Sequence, residues 1–191
     1  MTTTDVLRRI LERLDAAGIP SMLTGSFATA VHGSPRATQD IDIVIDPDEN
    51  QLRVFVRALP PAEYYADEEA AMEALRLETM FNVVDLATGW KVDLVIRKAR
   101  PFSVDEFARR RRIEFDGVSV AVATAEDTII AKLEWAHRGG SARQLEDVAS
   151  IVRLRGAELD VDRIEHWVTV LGLDDEWRAV RTLASRANPA R

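Results

Sequence analysis

The fold is decided by Leu23-Thr24-Gly25-Ser26-Phe27 and, after a spacer, by Asp40-Ile41-Asp42-Ile43-Val44-Ile45. The first stretch reads as a Gly-Ser turn, and the second as an apolar strand that carries two carboxylates. Successive side chains of a strand point to opposite faces, so Asp40 and Asp42 emerge on one side and the isoleucines on the other. Neighbouring carboxylates repel each other and resist burial, and a divalent cation relieves both problems. Because Mg²⁺ favours carboxylate oxygen and a Gly-Ser turn can bind phosphate, the pattern predicts a site for metal and phosphate.

These residues carry a resemblance to a known superfamily. Gly25-Ser26, the spacer 27–39 and Asp40-Ile41-Asp42 resemble the signature of the nucleotidyltransferases that include DNA polymerase β. Within that superfamily, the segment from Ala30 to Thr38 is similar to the minimal bacterial enzymes of the AbiEii type. The resemblance extends over residues 20–150 and becomes loose beyond Ile96.

The resemblance implies an α+β fold, namely the minimal nucleotidyltransferase fold: a mixed β-sheet flanked by helices, with a C-terminal helical tail. Strand signals stop at Thr124. We therefore expect a nucleotidyltransferase core at residues 1–123 and a C-terminal helical region packed on it at residues 124–191.

Periodicity supplies the individual elements. Apolar spacing predicts helices over 4–17, 26–32, 49–59, 67–78, 104–111, 124–137, 142–154, 161–171 and 176–185. Alternation and turn residues predict strands over 21–24, 40–45, 81–86, 90–96, 112–115 and 118–122.

The superfamily uses a third carboxylate on a later strand, and Lys91-Val92-Asp93-Leu94-Val95-Ile96 is the best candidate segment. Asp93 alternates with apolar neighbours, so it can point away from the core. Asp85 is its main rival, and this choice stays open. Glu114 and Asp116 are weaker candidates because Asp116-Gly117 is typical of a hairpin turn.

The resemblance also implies roles for individual residues. Catalysis and metal binding fall to Asp40, Asp42 and Asp93, with two Mg²⁺ ions for which Mn²⁺ can substitute. Lys132 followed by Glu146-Asp147 matches a lysine and a later acidic residue in the AbiEii-type enzymes, although a surface lysine with an apolar stem is the alternative. The expected nucleotide-binding residues are Gly25, Ser26, Arg36, Thr38 and Lys132, with Asp147 as an auxiliary residue.

Composition limits the function classes. The net charge of −7 argues against sequence-blind binding to nucleic acid, although Arg97, Lys98, Arg100 and Arg109 to Arg112 form a local basic concentration. The absence of cysteine excludes disulfides and thiolate metal sites. No apolar run approaches the ~20 residues of a membrane span, and the N-terminus lacks signal-peptide features, so a cytoplasmic protein is expected.

The predicted function is metal-dependent transfer of a nucleoside monophosphate from an NTP, ATP included, to an acceptor hydroxyl, with release of pyrophosphate. The acceptor can be tRNA, a protein or a small molecule, and the sequence does not decide among them. A toxin of a toxin–antitoxin pair is one form of this function, with an antitoxin protein as partner. The alternative is a catalytically silent nucleotide- or partner-binding module on the same fold, against which the retention of three carboxylates argues.

Overall fold

The computed structural model describes residues 3–33, 38 and 40–186. Those ranges contain the α-helices α1 (Thr3–Ala16), α2 (Gly25–His32), α3 (Glu49–Ala58), α4 (Glu68–Leu77), α5 (Pro101–Arg109), α6 (Ala125–Gly139), α7 (Ala142–Arg155), α8 (Val161–Leu171) and α9 (Asp174–Arg186). The strands are β1 (Ser21–Leu23), β2 (Asp40–Ile45), β3 (Tyr64–Ala66), β4 (Met80–Asp85), β5 (Lys91–Ile96), β6 (Arg111–Phe115) and β7 (Val118–Val122). Across the same ranges, none of the helices is both long and apolar enough to cross a bilayer.

The α+β class is confirmed, and the predicted helices and strands are present with small shifts at their ends. Strand β3 was not predicted, because three residues are too few to show an alternating pattern. Its pairing with β4 maintains it as an edge strand, with Tyr64 opposite Asp85. Helix α5 begins at Pro101 rather than at Val104, since proline is favoured in the first helical turn, where its missing N–H costs nothing.

The strands form one mixed sheet in the order β3-β4-β5-β2-β1-β7-β6. Strand β2 runs parallel to β5 and antiparallel to β1, and β1 runs parallel to β7. The remaining pairs, β3–β4, β4–β5 and β6–β7, are antiparallel. The two carboxylates of β2 therefore lie on a central strand between β5 and β1.

On β2 and β5, alternate positions bury apolar side chains on one face of the sheet. Ile41, Ile43 and Ile45 on β2 and Val92 and Leu94 on β5 are at most 4% exposed, on alternate positions of their strands. Full burial of such a side chain stabilises the fold by roughly 1.5–3 kcal/mol. A slip of one residue would turn these side chains outward and the aspartates inward, so the burial pattern fixes the register.

Two compact units can be distinguished within the described residues. One comprises the sheet with α1, α3, α4 and α5 and lies within Met1–Thr24 and Ala37–Ala123. The other lies within Gly25–Arg36 and Thr124–Arg191, where α2 packs on α6 and α7. Helix α2 thus groups with the C-terminal helices, and the predicted domain division at residue 123 stays a prediction.

Inside the helical unit, the C-terminal end of α2 packs closely against α7. Arg155 donates from Nε to the carbonyl oxygen of His32 at 3.2 Å and from its second terminal nitrogen to that of Val31 at 3.2 Å. These bonds satisfy carbonyl groups that the end of a helix leaves without partners. A Cβ on Gly33 would lie 2.8 Å from Oγ of Ser150 and 3.0 Å from a side-chain carbon of Ile151. The glycine of the AbiEii-like segment is therefore explained by close packing.

Candidate active site

The carboxylates of β2 lie on the face opposite the buried isoleucines, as predicted, and both residues are half-buried. The backbone N–H of Thr24 donates to the carbonyl oxygen of Asp42 at 3.0 Å, which ties the end of β1 to the middle of β2. Oγ1 of Thr38 donates to the carbonyl oxygen of Asp40 at 3.2 Å and accepts from its N–H at 3.4 Å. The Thr38 hydroxyl is thus occupied in fixing the start of the strand.

Asp93 lies beside this pair, because β5 runs parallel to β2 in a register that places Asp93 directly opposite Asp42. The residue is 6% exposed, and its Oδ1 has no hydrogen-bond partner among the residues that the structure describes. Asn82 of β4 is the cross-strand partner of Asp93 on its other side. The sheet therefore aligns Asp42, Asp93 and Asn82 in one row across three strands.

Lys91 occupies the next row of the same face, opposite Asp40. Its Nζ lies 3.1 Å from Oδ2 of Asp93 and 3.5 Å from Oδ1 of Asp40, so the ammonium bridges the two strands. The hydrogen bond to Asp93 holds the pKa of Lys91 above its ordinary value against the opposing effect of burial, and the charges of Asp93 and Asp40 act in the same direction as the hydrogen bond. Lys91 is the cation that balances part of this carboxylate cluster.

The rival candidates for the third carboxylate have other partners. Asp85 ends β4 at a position whose side chain points to the opposite face from Asn82. Its Oδ1 accepts from the N–H of Thr88 at 2.9 Å and from the Thr88 hydroxyl at 2.7 Å, and its Oδ2 pairs with Arg9. Asp116 lies in the β6–β7 turn and accepts from the Thr4 hydroxyl. The geometry favours Asp93.

The predicted phosphate turn opens helix α2. Gly25 has φ +59°, a backbone conformation that glycine adopts without the steric cost a Cβ would add, and its carbonyl oxygen accepts from the Thr29 hydroxyl at 3.0 Å. Ser26 follows within the first turn of α2. Arg36 lies outside the described residues.

Lys132 is not the surface lysine that the sequence analysis gave as the alternative, because the residue is only 4% exposed. Its Nζ donates to Oδ2 of Asp147 at 2.8 Å and to Oε1 of Gln144 at 2.8 Å, which joins α6 to α7. Asp147 is itself 7% exposed. The lysine and aspartate whose spacing matches the AbiEii-type pattern thus form a buried ion pair between two helices.

The sheet therefore brings Asp40, Asp42 and Asp93 onto one face, and the helical unit brings Lys132 and Asp147 together. Sequence reasoning did not assign a role to Lys91 or Asn82. The alternation in Lys91-Val92-Asp93 could have indicated Lys91, because it puts the two charged side chains on one face. Asn82 required the register of the β4–β5 hairpin, which the pattern within one strand does not contain.

Whether the carboxylates suit a metal ion can be judged from their chemistry. Within residues 3–33, 38 and 40–186, no three acidic or histidine side chains are already gathered as a cation would need them. Lys91 stands between two of the three aspartates. However, a buried carboxylate oxygen without a partner is costly, and Oδ1 of Asp93 has no hydrogen-bond partner in the described part of the chain. Because carboxylate oxygens are the ligands that Mg²⁺ and Mn²⁺ prefer, the residues fit a divalent ion.

Solved structures share this fold. An antigenic nucleotidyltransferase-like protein from Paracoccidioides brasiliensis aligns with a TM-score of 0.55 at 20% identity, over 78% of this chain and 75% of that one. ANT(2'')-Ia in complex with adenylyl-2''-tobramycin gives 0.56 at 15% identity, over 95% of this chain and 98% of the other. The lincosamide antibiotic adenylyltransferase LnuA, lincomycin-bound, gives 0.52 at 11% identity, over 79% and 96%. At these identities the likeness shows the fold.

The family itself is shown by sequence. No curated protein matches the chain. A family model described as "Nucleotidyl transferase AbiEii toxin, Type IV TA system" matches residues 9–188, which is nearly the whole chain and includes the carboxylate strands and the C-terminal helices. The chain therefore belongs to the AbiEii family of nucleotidyltransferase enzymes.

Proposed function

We propose that the chain transfers a nucleoside monophosphate from an NTP to an acceptor hydroxyl, in a reaction that depends on a divalent metal ion. The observation that carries the proposal is the face shared by Asp40, Asp42 and Asp93, with a buried Asp93 oxygen that lacks a partner among the described residues. Such an oxygen is costly in a site that only binds nucleotide. Family membership gives the reaction class.

Asp40, Asp42 and Asp93 would hold two Mg²⁺ ions, for which Mn²⁺ can substitute. When bound, the ions supply charge neutralisation on the triphosphate and lower the pKa of the acceptor hydroxyl. We assign Gly25 and Ser26 to the triphosphate on the basis of their motif, together with Arg36 and Thr38. The bonds of Lys132 to Asp147 and Gln144 give it a structural role, and its contact with the triphosphate stays a prediction.

The transfer balances without a further reactant. A bond forms between the acceptor oxygen and the α-phosphorus, and the bond from that phosphorus to the bridging oxygen of the β-phosphate breaks. Pyrophosphate leaves with the electron pair. Asp93, which is buried on strand β5, accepts the proton of the acceptor hydroxyl and can pass it on to water. Positioning and charge stabilisation supply the catalysis, since the protein forms no covalent bond to the substrate.

The test begins with metal and nucleotide binding in Asp42→Asn. We expect wild-type protein to bind Mn²⁺ more tightly when NTP is present. We expect Asp42→Asn to lose metal-dependent NTP binding, because the variant lacks one of the anionic ligands. Isothermal titration with a non-hydrolysable NTP measures both affinities. Asp48→Asn is the matched control, since Asp48 is the N-cap of α3 and asparagine caps a helix equally well. Unchanged metal-dependent affinity in Asp42→Asn would contradict the proposed site.

Turnover is then measured as pyrophosphate release from each of the four NTPs. The acceptors to compare are tRNA, a cellular protein extract, and the small molecules tobramycin and lincomycin. The last two are named with ANT(2'')-Ia and LnuA and test whether the shared fold extends to a shared acceptor class. Metal-dependent nucleotide binding with no transfer to any acceptor would favour the silent binding module.

The family description also supports an antitoxin protein as partner. Under this proposal, expression of the wild-type chain arrests growth, Asp42→Asn does not, and co-expression of the adjacent gene restores growth. Equal arrest by both forms would separate toxicity from the carboxylate site.

A further inference from the structure

Neither the sequence motif nor the proposed reaction explains Lys91, which lies on the sheet face that carries the three aspartates. Its ammonium contacts Oδ2 of Asp93 at 3.1 Å and Oδ1 of Asp40 at 3.5 Å. These atoms belong to two of the three proposed metal ligands, on the two strands that the ammonium bridges. The lysine thus stands where the proposed function needs a divalent cation.

We propose that Lys91 is an exchangeable counter-ion, which neutralises Asp40 and Asp93 in the absence of metal and is displaced when the metal–nucleotide complex binds. The inference rests on the proposed function, because it concerns how that metal site is filled. Its consequence is that Lys91 lowers the affinity for free metal and couples metal binding to nucleotide binding.

The need for a counter-ion follows from burial. The Asp93 side chain is 8% exposed, and a carboxylate that is nearly removed from water requires an opposite charge or hydrogen-bond donors. Asp42 lies directly across from it and adds a second negative charge. In the protein without bound metal, Lys91 provides this positive charge beside three carboxylates that lie at neighbouring positions of the sheet.

The exchange follows from competition for the same oxygens. A divalent ion held by Asp40 and Asp93 takes oxygens that Lys91 already contacts, and two cations repel each other at that distance. The Lys91 side chain is 38% exposed and ends a flexible four-carbon stem, so the ammonium can move toward solvent. Free metal must displace the lysine without compensation. A metal–nucleotide complex brings phosphate charges that give the displaced ammonium a new partner, so metal and nucleotide assist each other's binding.

The experiment measures Mn²⁺ affinity by electron paramagnetic resonance, with and without an α,β-methylene NTP, and needs no turnover. We expect Lys91→Met to bind free Mn²⁺ about tenfold more tightly than wild type, because a positive charge beside the ligands is gone. The gain in Mn²⁺ affinity on adding nucleotide should shrink by a similar factor. Lys91→Gln, which is neutral and still donates a hydrogen bond, should behave like Lys91→Met. Lys91→Arg keeps the charge and should behave like wild type.

The matched control is Lys98→Met, which changes the net charge equally but lies beyond the end of β5. Circular dichroism with and without Mn²⁺ confirms that each variant is folded. Neutral variants that bind free Mn²⁺ no more tightly than wild type, while Asp42→Asn still abolishes binding, overturn the role of Lys91 and leave the metal site standing. Absence of Mn²⁺ binding in wild type and in both neutral variants overturns both proposals. Binding that appears only in the neutral variants supports the counter-ion role.

Discussion

At the scale of single residues, substitution of Asp93 tests whether nucleotide binding and chemistry can be separated. If Asp93 serves the acceptor side of the reaction, Asp93→Asn keeps NTP binding and loses turnover by about 10²–10⁴-fold, the usual contribution of a positioned acid–base group. Removal of the negative charge also leaves Lys91 with Asp40 alone as its anionic partner among the described contacts. Calorimetric NTP affinity and single-turnover rates measure the two effects separately.

Two other carboxylates serve as controls for that substitution. Glu114→Gln removes the same charge from the exposed strand β6 and should leave the rate unchanged. Asp85→Asn tests the remaining rival, which is occupied by Arg9 and Thr88. A wild-type rate in Asp93→Asn together with a loss in Asp85→Asn would move the third carboxylate to β4.

The residue scale also shows what strand alternation can and cannot predict. Period-two spacing placed Asp40 and Asp42 on one face, and the structure confirms it. The same spacing is consistent with Lys91 and Asp93 on one face of β5, where the structure places them. The contact of Lys91 with Asp40 depends on the register between two parallel strands far apart in sequence. No local pattern specifies that register, so this contact required the structure.

At the scale of elements, local chemistry predicted most ends and missed one strand. Thr124 is the N-cap of α6, and its hydroxyl accepts from the N–H of Asp127 at 3.2 Å. Asp48 caps α3 and exchanges two hydrogen bonds with Gln51, at 2.8 and 2.9 Å. Such caps act within one turn, so they depend only on residues that are close together in the sequence. Strand β3 depends on its pairing with β4. The three residues of β3 contain no pattern from which this tertiary contact could be predicted.

The α6–α7 pair gives the element-scale prediction. Lys132→Ala should lower the free energy of unfolding by about 3–5 kcal/mol, because the buried carboxylate of Asp147 loses the ammonium that pairs with it at 2.8 Å. Substitution of a surface lysine, the alternative given in the sequence analysis, would change this free energy by no more than about 0.5 kcal/mol. Chemical denaturation followed by circular dichroism measures the change.

The double variant Lys132→Met/Asp147→Leu distinguishes the ion pair from other effects of the helix contact. It removes both charges and should recover most of the lost stability, since apolar replacements of a buried pair are often neutral or stabilising. Arg138→Ala is the matched control on the same helix, because Arg138 forms an exposed pair with Glu134. A change in Lys132→Ala as small as in the control would contradict a stabilising pair. NTP affinity of the folded double variant then tests the predicted phosphate contact.

At the scale of the whole molecule, the net charge argues against non-specific binding of a long nucleic acid. The net charge is −7, and members of the local basic concentration are engaged with the protein itself. Arg97 pairs with Asp46 at 2.9 Å, Arg100 donates to the Ser103 hydroxyl at 3.0 Å, and the Arg110 guanidinium stacks over Phe107 at 4.1 Å. Arginines held in this way offer less charge to a phosphate backbone than their number suggests.

We therefore expect weak binding to long RNA by general electrostatics. A labelled RNA of about 30 nucleotides should bind with a Kd weaker than about 10⁻⁴ M at ~150 mM salt, because proteins that bind polyanions non-specifically do so through several unoccupied Lys and Arg contacts. Fluorescence anisotropy over a salt series measures it, and a tRNA acceptor would then have to be recognised at its reacting end alone. Micromolar binding that weakens steeply with salt would contradict the expectation. In that case Arg111→Gln and Arg112→Gln on the exposed strand β6 should reduce the salt slope by about one each, which would locate the RNA surface.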